Sequence, residues 1–478
     1  NGPTFAHNVW TVVNDGINKW EVGTAKKKDG LRGAYISNDN GVTNASTKAD
    51  EVSHFYRDVM FPADAYQILL RFDFTGIGIP INDYMSVYLI STETTPVAGV
   101  SVSSGLMGIY KRRDFDRFDD PFYLRYLLVI PRSNAGTTKR LVFSWRSHLG
   151  QPNAYVYPPG AIDNISLVSE GDKPSNGTGG GPWSSGYSWL DGIVPNAATG
   201  NTSILIGDIV TADVDISIQN LLVSGTLEFE SGSPRTLEAT GDVIIDQSGI
   251  IRSPETGNAF HKLIVGGDFF NNGIFNGSTN NGQAGVGVEF TSSANQIFSG
   301  TGPITDITSI TVNSATSTAT VLISPDNLTV QGLSSNAPGF FNLTRGGARL
   351  NFPLESVIFT SPSPVIPSTA ALWVDNPNLI VKGQNGTTTV AGTLRVSNGT
   401  FNVGFDDDDC LILAPGSTFI SEGGAVNVTA ALGVTSPSNS VKVNLTGGTI
   451  TVATVGNSSP TFASLDFGFS SSTNATST

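Results

Sequence analysis

The chain has 478 residues, more than one ordinary core accommodates, so two or three domains are expected. Charged residues make up only 14%, while Gly, Ser, Thr and Asn are abundant, a composition that suits turn-rich β-structure with polar, mostly uncharged surfaces. The net charge of −14 comes from residues 171–478, where 9 Lys+Arg face 23 Asp+Glu; residues 1–170 carry 17 of each. That acidic part excludes nucleic acid and an anionic membrane as partners. No apolar run approaches ~18 residues, so no membrane-spanning helix is expected. Cys410 is the single cysteine and no intrachain disulfide can form. Asn1 is not an initiator Met and no signal peptide is visible, so the sequence reads as a processed protein or an internal segment.

Residues 1–169 alternate strand-like segments with polar loops. WTVV at Trp10 and WEV at Trp20 lead to AYISND at Ala34, FYRDVMFP at Phe55, QILLRFDF at Gln67 and DYMSVYLI at Asp83. LRYLLVIP at Leu124, RLVFSWRS at Arg140 and AIDNISLVS at Ala161 complete the set. In QILLRFDF, period-two alternation puts Leu70, Phe72 and Phe74 on one face and Arg71 and Asp73 on the other. In RLVFSWRS, Leu141, Phe143 and Trp145 oppose Val142, Ser144 and Arg146. Strands with one apolar and one polar face belong to antiparallel sheets, and this many predict a sandwich of jelly-roll type. Trp10, Trp20 and Trp145 are assigned to its core.

These segments, from YRDVMFP and LLRFDF to KRLVFSWRS and the closing AIDNISL, resemble MAM-type jelly-roll domains. The version they resemble more closely stands at the start of large secreted surface proteins of Bacteroidota. The four-cysteine framework of animal MAM domains is absent, so their disulfide pairing and dimerising role do not carry over.

Residues 170–188, EGDKPSNGTGGGPWSSGYS, read as a flexible Gly/Ser/Pro linker. GTGGGP is not a phosphate loop, because no Lys-Ser/Thr follows and no helical period begins there. Beyond it, short strands start near Leu221 (LLVSG), Val243 (VIIDQSG), Leu263 (LIVGG), Val288 (VEFTSS), Ile310 (ITVNSA) and Leu328 (LTVQG). A spacing of about 20 to 25 residues with Gly, Asn and Ser at the stops predicts a solenoid, here a right-handed parallel β-solenoid over 189–478. The stretch from Trp189, with its VP-x-A turn, GD-V step and V-GTL-F strand, resembles the start of G8-like parallel β-helix segments. That resemblance implies a cap at about 189–209. After Leu328 the repeat loosens, and SPSPVIPST at Ser361 reads as a loop leaving the coil. The array is expected to continue past Thr478.

Three stretches carry candidate chemistry. FDDDDC at 405–410 places four carboxylates in a row, but consecutive side chains diverge, so a solvated loop with Cys410 opening a buried strand is expected. DFDRFDDPFY at 114–123 mixes charge with aromatics. Phe118, Phe122 and Tyr123 are its candidate ligand-binding residues, stacking sugar rings or peptide side chains, against the alternative of a solvated hairpin loop. By resemblance to carbohydrate-binding jelly rolls, Asp163 in AIDNISL is the candidate ligand of a structural Ca²⁺; the alternative is a satisfied Asx turn. Enzyme signals are thin. His7, His54, His148 and His261 show no HExxH pairing, no G-x-S-x-G elbow occurs, and the G-H-G and R-I-K steps of β-helix lyases and hydrolases are missing. No catalytic residue is assigned.

The whole resembles the large secreted surface adhesins of Bacteroidota, including those used in gliding, which leave the cell by the type IX route. The resemblance implies an extracellular or outer-membrane-attached location and a part in a longer chain or multi-subunit surface assembly. It also implies a surface polysaccharide or another cell-surface protein as partner, with no direct membrane insertion. The alternative is a carbohydrate-binding module attached to a polysaccharide-degrading β-helix.

Overall fold

A computed structural model describes the chain except residues 1–3, 7–8, 63–64, 66, 77–82, 111–122, 149–157, 171, 199, 280–283, 330–339, 355–356, 359–362, 384, 436–440, 459–464 and 466–478. It divides into two units, Asn1–Gly171 and Asp172–Thr478.

Among the described residues of the first unit ten strands form two antiparallel sheets: β1 (Thr11–Val13), β2 (Lys19–Gly23), β3 (Gly33–Ser37), β4 (Glu51–Met60), β5 (Gln67–Thr75), β6 (Tyr84–Ser91), β7 (Leu106–Tyr110), β8 (Leu124–Ile130), β9 (Thr138–Ser147) and β10 (Ala161–Glu170). The strand orders are β1-β4-β9-β6-β7 and β2-β3-β10-β5-β8. The alternation read from the sequence decides which faces meet. Leu70, Phe72 and Phe74 of β5 pack into one core with Leu141, Phe143 and Trp145 of β9. The Phe72 and Phe143 rings meet edge-on at 5.5 Å across the two sheets, a favoured aromatic geometry. Trp20 is buried there as expected, and its indole N–H donates to the Ser53 carbonyl at 3.1 Å.

The second unit is a parallel β-solenoid. From Asn201 to Thr329 each turn lays one strand on each of three faces. Leu221–Val223, Thr226–Phe229 and Thr236–Ala239 make one such turn, and Val243–Ile245, Ile250–Arg252 and Phe260–Val265 stack on it in register. The six apolar strands found by periodicity are all present but come from different faces. Leu221 and Val243 begin first-face strands, Leu263, Val288 and Ile310 lie on the third, and Leu328 lies on the second. Three similar short strands per turn give nearly the same apolar pattern, so that pattern gives the period and not the phase.

Each inward side chain sits on its equivalent one turn below. Val243, Phe269, Phe298, Ile323, Leu350 and Val374 are successive register partners on one face, and all are buried. Phe269 and Phe298 stack face to face at 4.8 Å. Burying each such side chain contributes roughly 1.5–3 kcal/mol. At one corner a polar ladder matches this apolar one. Asn220 accepts the Asp242 N–H at 2.6 Å, Asp242 that of Asp268 at 2.8 Å, and Asp268 that of Ile297 at 2.8 Å. Each of these turns thus satisfies a backbone donor of the next with a side-chain oxygen.

Two sequence expectations are corrected. Residues 172–188 are not a flexible linker: Asp172–Pro174 and Gly180–Pro182 pair in parallel with Asn201–Ile204 and Ile209–Ala212 as the first turn of the coil. The buried carboxylate of Asp208 organises this turn, accepting from the Ser175 hydroxyl and from the Gly177 and Gly179 N–H groups at 2.8 Å each. Gly179, Gly180 and Gly181 have φ of 122°, 79° and 134°, which L side chains rarely adopt, so the glycines serve a fixed path rather than freedom. Trp183 and Trp189, edge-on at 4.7 Å, belong to the core at this end, so its closure begins before residue 189.

The described part of the proline-rich SPSPVIPST stretch, Ser363–Thr369, does not leave the coil either. Val365–Ile366 forms a strand paired with Thr388–Val390, and Ile366 is buried. The flanking prolines lack N–H groups, but the ladder uses carbonyls here: Pro364 accepts from Thr389 and Ile366 from Ala391, both at 2.9 Å.

His261 occupies an inward position on the third face, its ring 4.8 Å from that of Phe229. Its Nδ1 accepts the Arg235 N–H at 3.0 Å, which places the proton on the buried Nε2. Burial holds its pKa down to about 4; the nearby Arg235 lowers it further and Glu230 opposes both. The unfolded chain binds a proton near pH 6.5, whereas the folded chain does so only near pH 4. Stability therefore falls as pH drops through that window, by about 3 kcal/mol from this group. Urea unfolding at pH 7 and pH 4.5 should show the wild type losing about 2–3 kcal/mol more than His261→Gln. Parallel losses in the two proteins would remove His261 from the account.

Candidate functional site

The sequence-derived candidates Tyr123 and Asp163 meet in the first unit, around a third residue that sequence reasoning placed only on an outer face. β10, β5 and β8 set Asp163, Asp73 and Arg125 side by side as cross-strand neighbours. Asp73 is 1% exposed although it points away from the apolar core. Two carboxylates directly opposite one another repel, so cations and N–H donors must compensate them. The Lys28 ammonium lies 3.1 Å from Asp73 Oδ1 and Arg125 Nε 3.4 Å from the same atom. Asp73 Oδ2 accepts from the Asn164 carboxamide at 2.8 Å.

A bulge in β10 between Asp163 and Ser166 makes this convergence possible. Asn164 within it has φ of 50°, a left-handed conformation that asparagine tolerates. Its carboxamide bridges Asp73 and Asp29, at 2.8 Å each. Asp163 Oδ2 accepts the N–H groups of Lys28 and Asp29 at 2.9 and 3.2 Å, and Oδ1 accepts that of Asn164 at 2.9 Å. The Asp163 carboxylate therefore anchors the loop between β2 and β3. Three N–H donors bind the Asp163 carboxylate and a lysine ammonium binds that of Asp73.

Tyr123 is 6% exposed and packs with Tyr35 and Ala161. Its hydroxyl has no hydrogen-bond partner among the described residues, and burial, then the charges of Asp163 and Asp73, push its pKa upward. A ring so covered offers no platform to a sugar. Phe118 and Phe122 lie outside the described residues.

The solenoid carries further polar groupings and a cleft. Asp406, Asp408 and Asp409 have carboxylate oxygens within 4.8 Å of one another. Asp409 is buried and accepts the N–H groups of Gly386, Phe405 and Asp406 at 2.7 to 3.0 Å, which makes it a turn anchor; Cys410 is buried and Leu411–Leu413 follows as a strand, as expected. Trp373 is held between two guanidinium groups, Arg349 at 4.0 Å and Arg395 at 3.8 Å. Arg349 pairs with Asp375, Arg395 with Glu422, and the Trp373 indole N–H donates to Ser397, so the stack clamps successive turns together. A cleft of about 550 Å³ at the Trp-closed end is lined by Asn176, Ser185, Tyr187, Trp189 and Leu190, with Tyr187 almost fully exposed.

These environments separate two roles that the sequence did not distinguish. Tyr123→Phe removes an unpartnered buried hydroxyl and should be neutral or stabilising by up to about 1 kcal/mol. Asp73→Ala strips Lys28, Arg125 and Asn164 of a shared acceptor and should cost about 2–3 kcal/mol. Chemical denaturation of both variants checks the pair; a destabilising Tyr123→Phe with a neutral Asp73→Ala would reverse the assignment.

No family model matches the chain, and no curated protein sequence matches it.

Proposed function

We propose that the chain is a segment of an extracellular surface adhesin or surface filament. The solenoid is the stalk, and the first unit, read as a jelly roll, is the ligand-binding or joint domain. The observation that carries this reading is the uninterrupted solenoid core, which gathers buried side chains from Trp183 to Val434 into a single cluster. Strands stacked about 4.8 Å apart from Asp172–Pro174 to Lys442–Thr451 make a rod roughly 50 Å long. Its acidic surface keeps such rods apart in solution and away from anionic lipid. The polar groupings on it are paired with each other as turn anchors and clamps, an arrangement suited to bearing load.

On this reading the solenoid is right-handed, the protein acts outside the cell, and its partner is a surface polysaccharide or another cell-surface protein. A glycan array probed with the full chain, with and without EDTA, tests it together with a depolymerisation assay on every polymer bound. Binding without turnover is the expected result. Release of oligosaccharides from a bound polymer would replace the adhesin by a polysaccharide-degrading β-helix, and binding lost in EDTA would assign a structural Ca²⁺ to the first unit.

A further inference from the structure

Lys28 and Asn164 are held on the two oxygens of one carboxylate. Lys28 Nζ lies 3.1 Å from Asp73 Oδ1, and Asn164 Nδ2 lies 2.8 Å from Asp73 Oδ2. An amine and a carboxamide gripped by a shared, 1% exposed acid are the reactants and proton carrier of an amide exchange. We propose that Lys28 and Asn164 are joined by an intramolecular isopeptide bond, formed with Asp73 as the proton carrier.

The step balances without any co-reactant. Asp73 takes a proton from the Lys28 ammonium, and the neutral Nζ attacks Cγ of Asn164. The Cγ–Nδ2 bond then breaks, and the leaving nitrogen collects one proton from Nζ and one from Asp73. An ammonium ion departs, the Nζ–Cγ amide remains, and nothing is oxidised or reduced. The two reacting residues are held in place by further bonds. Asn164 is fixed by its second bond to Asp29, Lys28 by the Asp163 anchor on its own N–H, and the Lys28 side chain is only 28% exposed. The buried Tyr123 hydroxyl, without a partner among the described residues, is a donor available near the carboxylates.

A second trio in the chain supplies an internal comparison. On the solenoid, Glu289 joins Lys262 at 2.9 Å and Asn313 at 3.0 Å in the same way. There the lysine is 53% exposed and the acid 14% exposed, so water solvates the ammonium and competes for the carboxylate. This trio remains a hydrogen-bonded surface network. The bond at Lys28 would staple the β2–β3 loop to β10, the strand that leads into the first solenoid turn at Asp172.

Mass spectrometry of the denatured full chain, followed by tryptic mapping, tests the assignment. The expected mass is one ammonia below that of the sequence, with a branched peptide linking Lys28 to Asn164 and no cleavage after Lys28. Lys28→Arg, on a loop, should restore the full mass, as should Asn164→Ala. Asp73→Asn, provided it folds, should leave the two peptides separate. A wild-type protein of full mass with unmodified Lys28 and Asn164 peptides would overturn the proposal. So would an ammonia loss that persists in Lys28→Arg, which would place it at a cyclised asparagine elsewhere, or a link found at Lys262–Asn313 alone.

Discussion

Parallel in-register stacking is the constraint on which the larger unit depends. Each strand of three or four residues is too short to persist alone. It is fixed because its inward side chains rest on equivalents above and below and its N–H and C=O groups pair with both neighbours. The same translation carries apolar residues onto apolar ones, as from Val243 to Phe269 to Phe298, and corner oxygens onto corner donors, as from Asn220 to Asp242 to Asp268. A change at one level is therefore felt by the turns on either side, and stability becomes a sum over neighbouring interfaces.

The first unit meets its constraints differently. Its apolar core follows directly from period-two alternation, and Leu70, Phe72, Phe74, Phe143 and Trp145 could be placed from the sequence alone. Asp73 could not. Alternation puts it on an outer face, and only the bulge at Asn164, the lysine loop and the neighbouring β8 show that this face is covered at that point. The polar cluster depends on residues 28, 73, 125 and 164 being brought together from four separate parts of the chain, and local pattern carries no such information.

The misread segments share one physical cause. Glycine-rich and proline-rich stretches have the same composition whether they are free or tightly constrained. SNGTGGGPW contains the residues of a flexible linker, yet the Asp208 carboxylate, thirty residues or so downstream, decides its path. SPSPVIPST contains the residues of an escaping loop, yet carbonyls at Pro364 and Ile366 are all that the ladder requires of it. An Asn or Asp immediately before the first-face strands in QNLLV, GDVII and GDFF builds the corner ladder, but GDIV at Asp208 precedes a second-face strand, so this signal does not set the phase of the turns.

The coil begins at Asp172, with the glycine-rich segment as its first turn. Hydrogen–deuterium exchange of the intact chain, resolved to peptides across residues 172–189, tests it most directly. Slow exchange at Ser175, Gly177, Gly179 and Trp183, whose N–H groups bond to Ser203, Asp208 and Thr211, is the predicted result. Exchange of this segment at the rate of an unstructured peptide, while Leu221–Val223 stays protected, would contradict it.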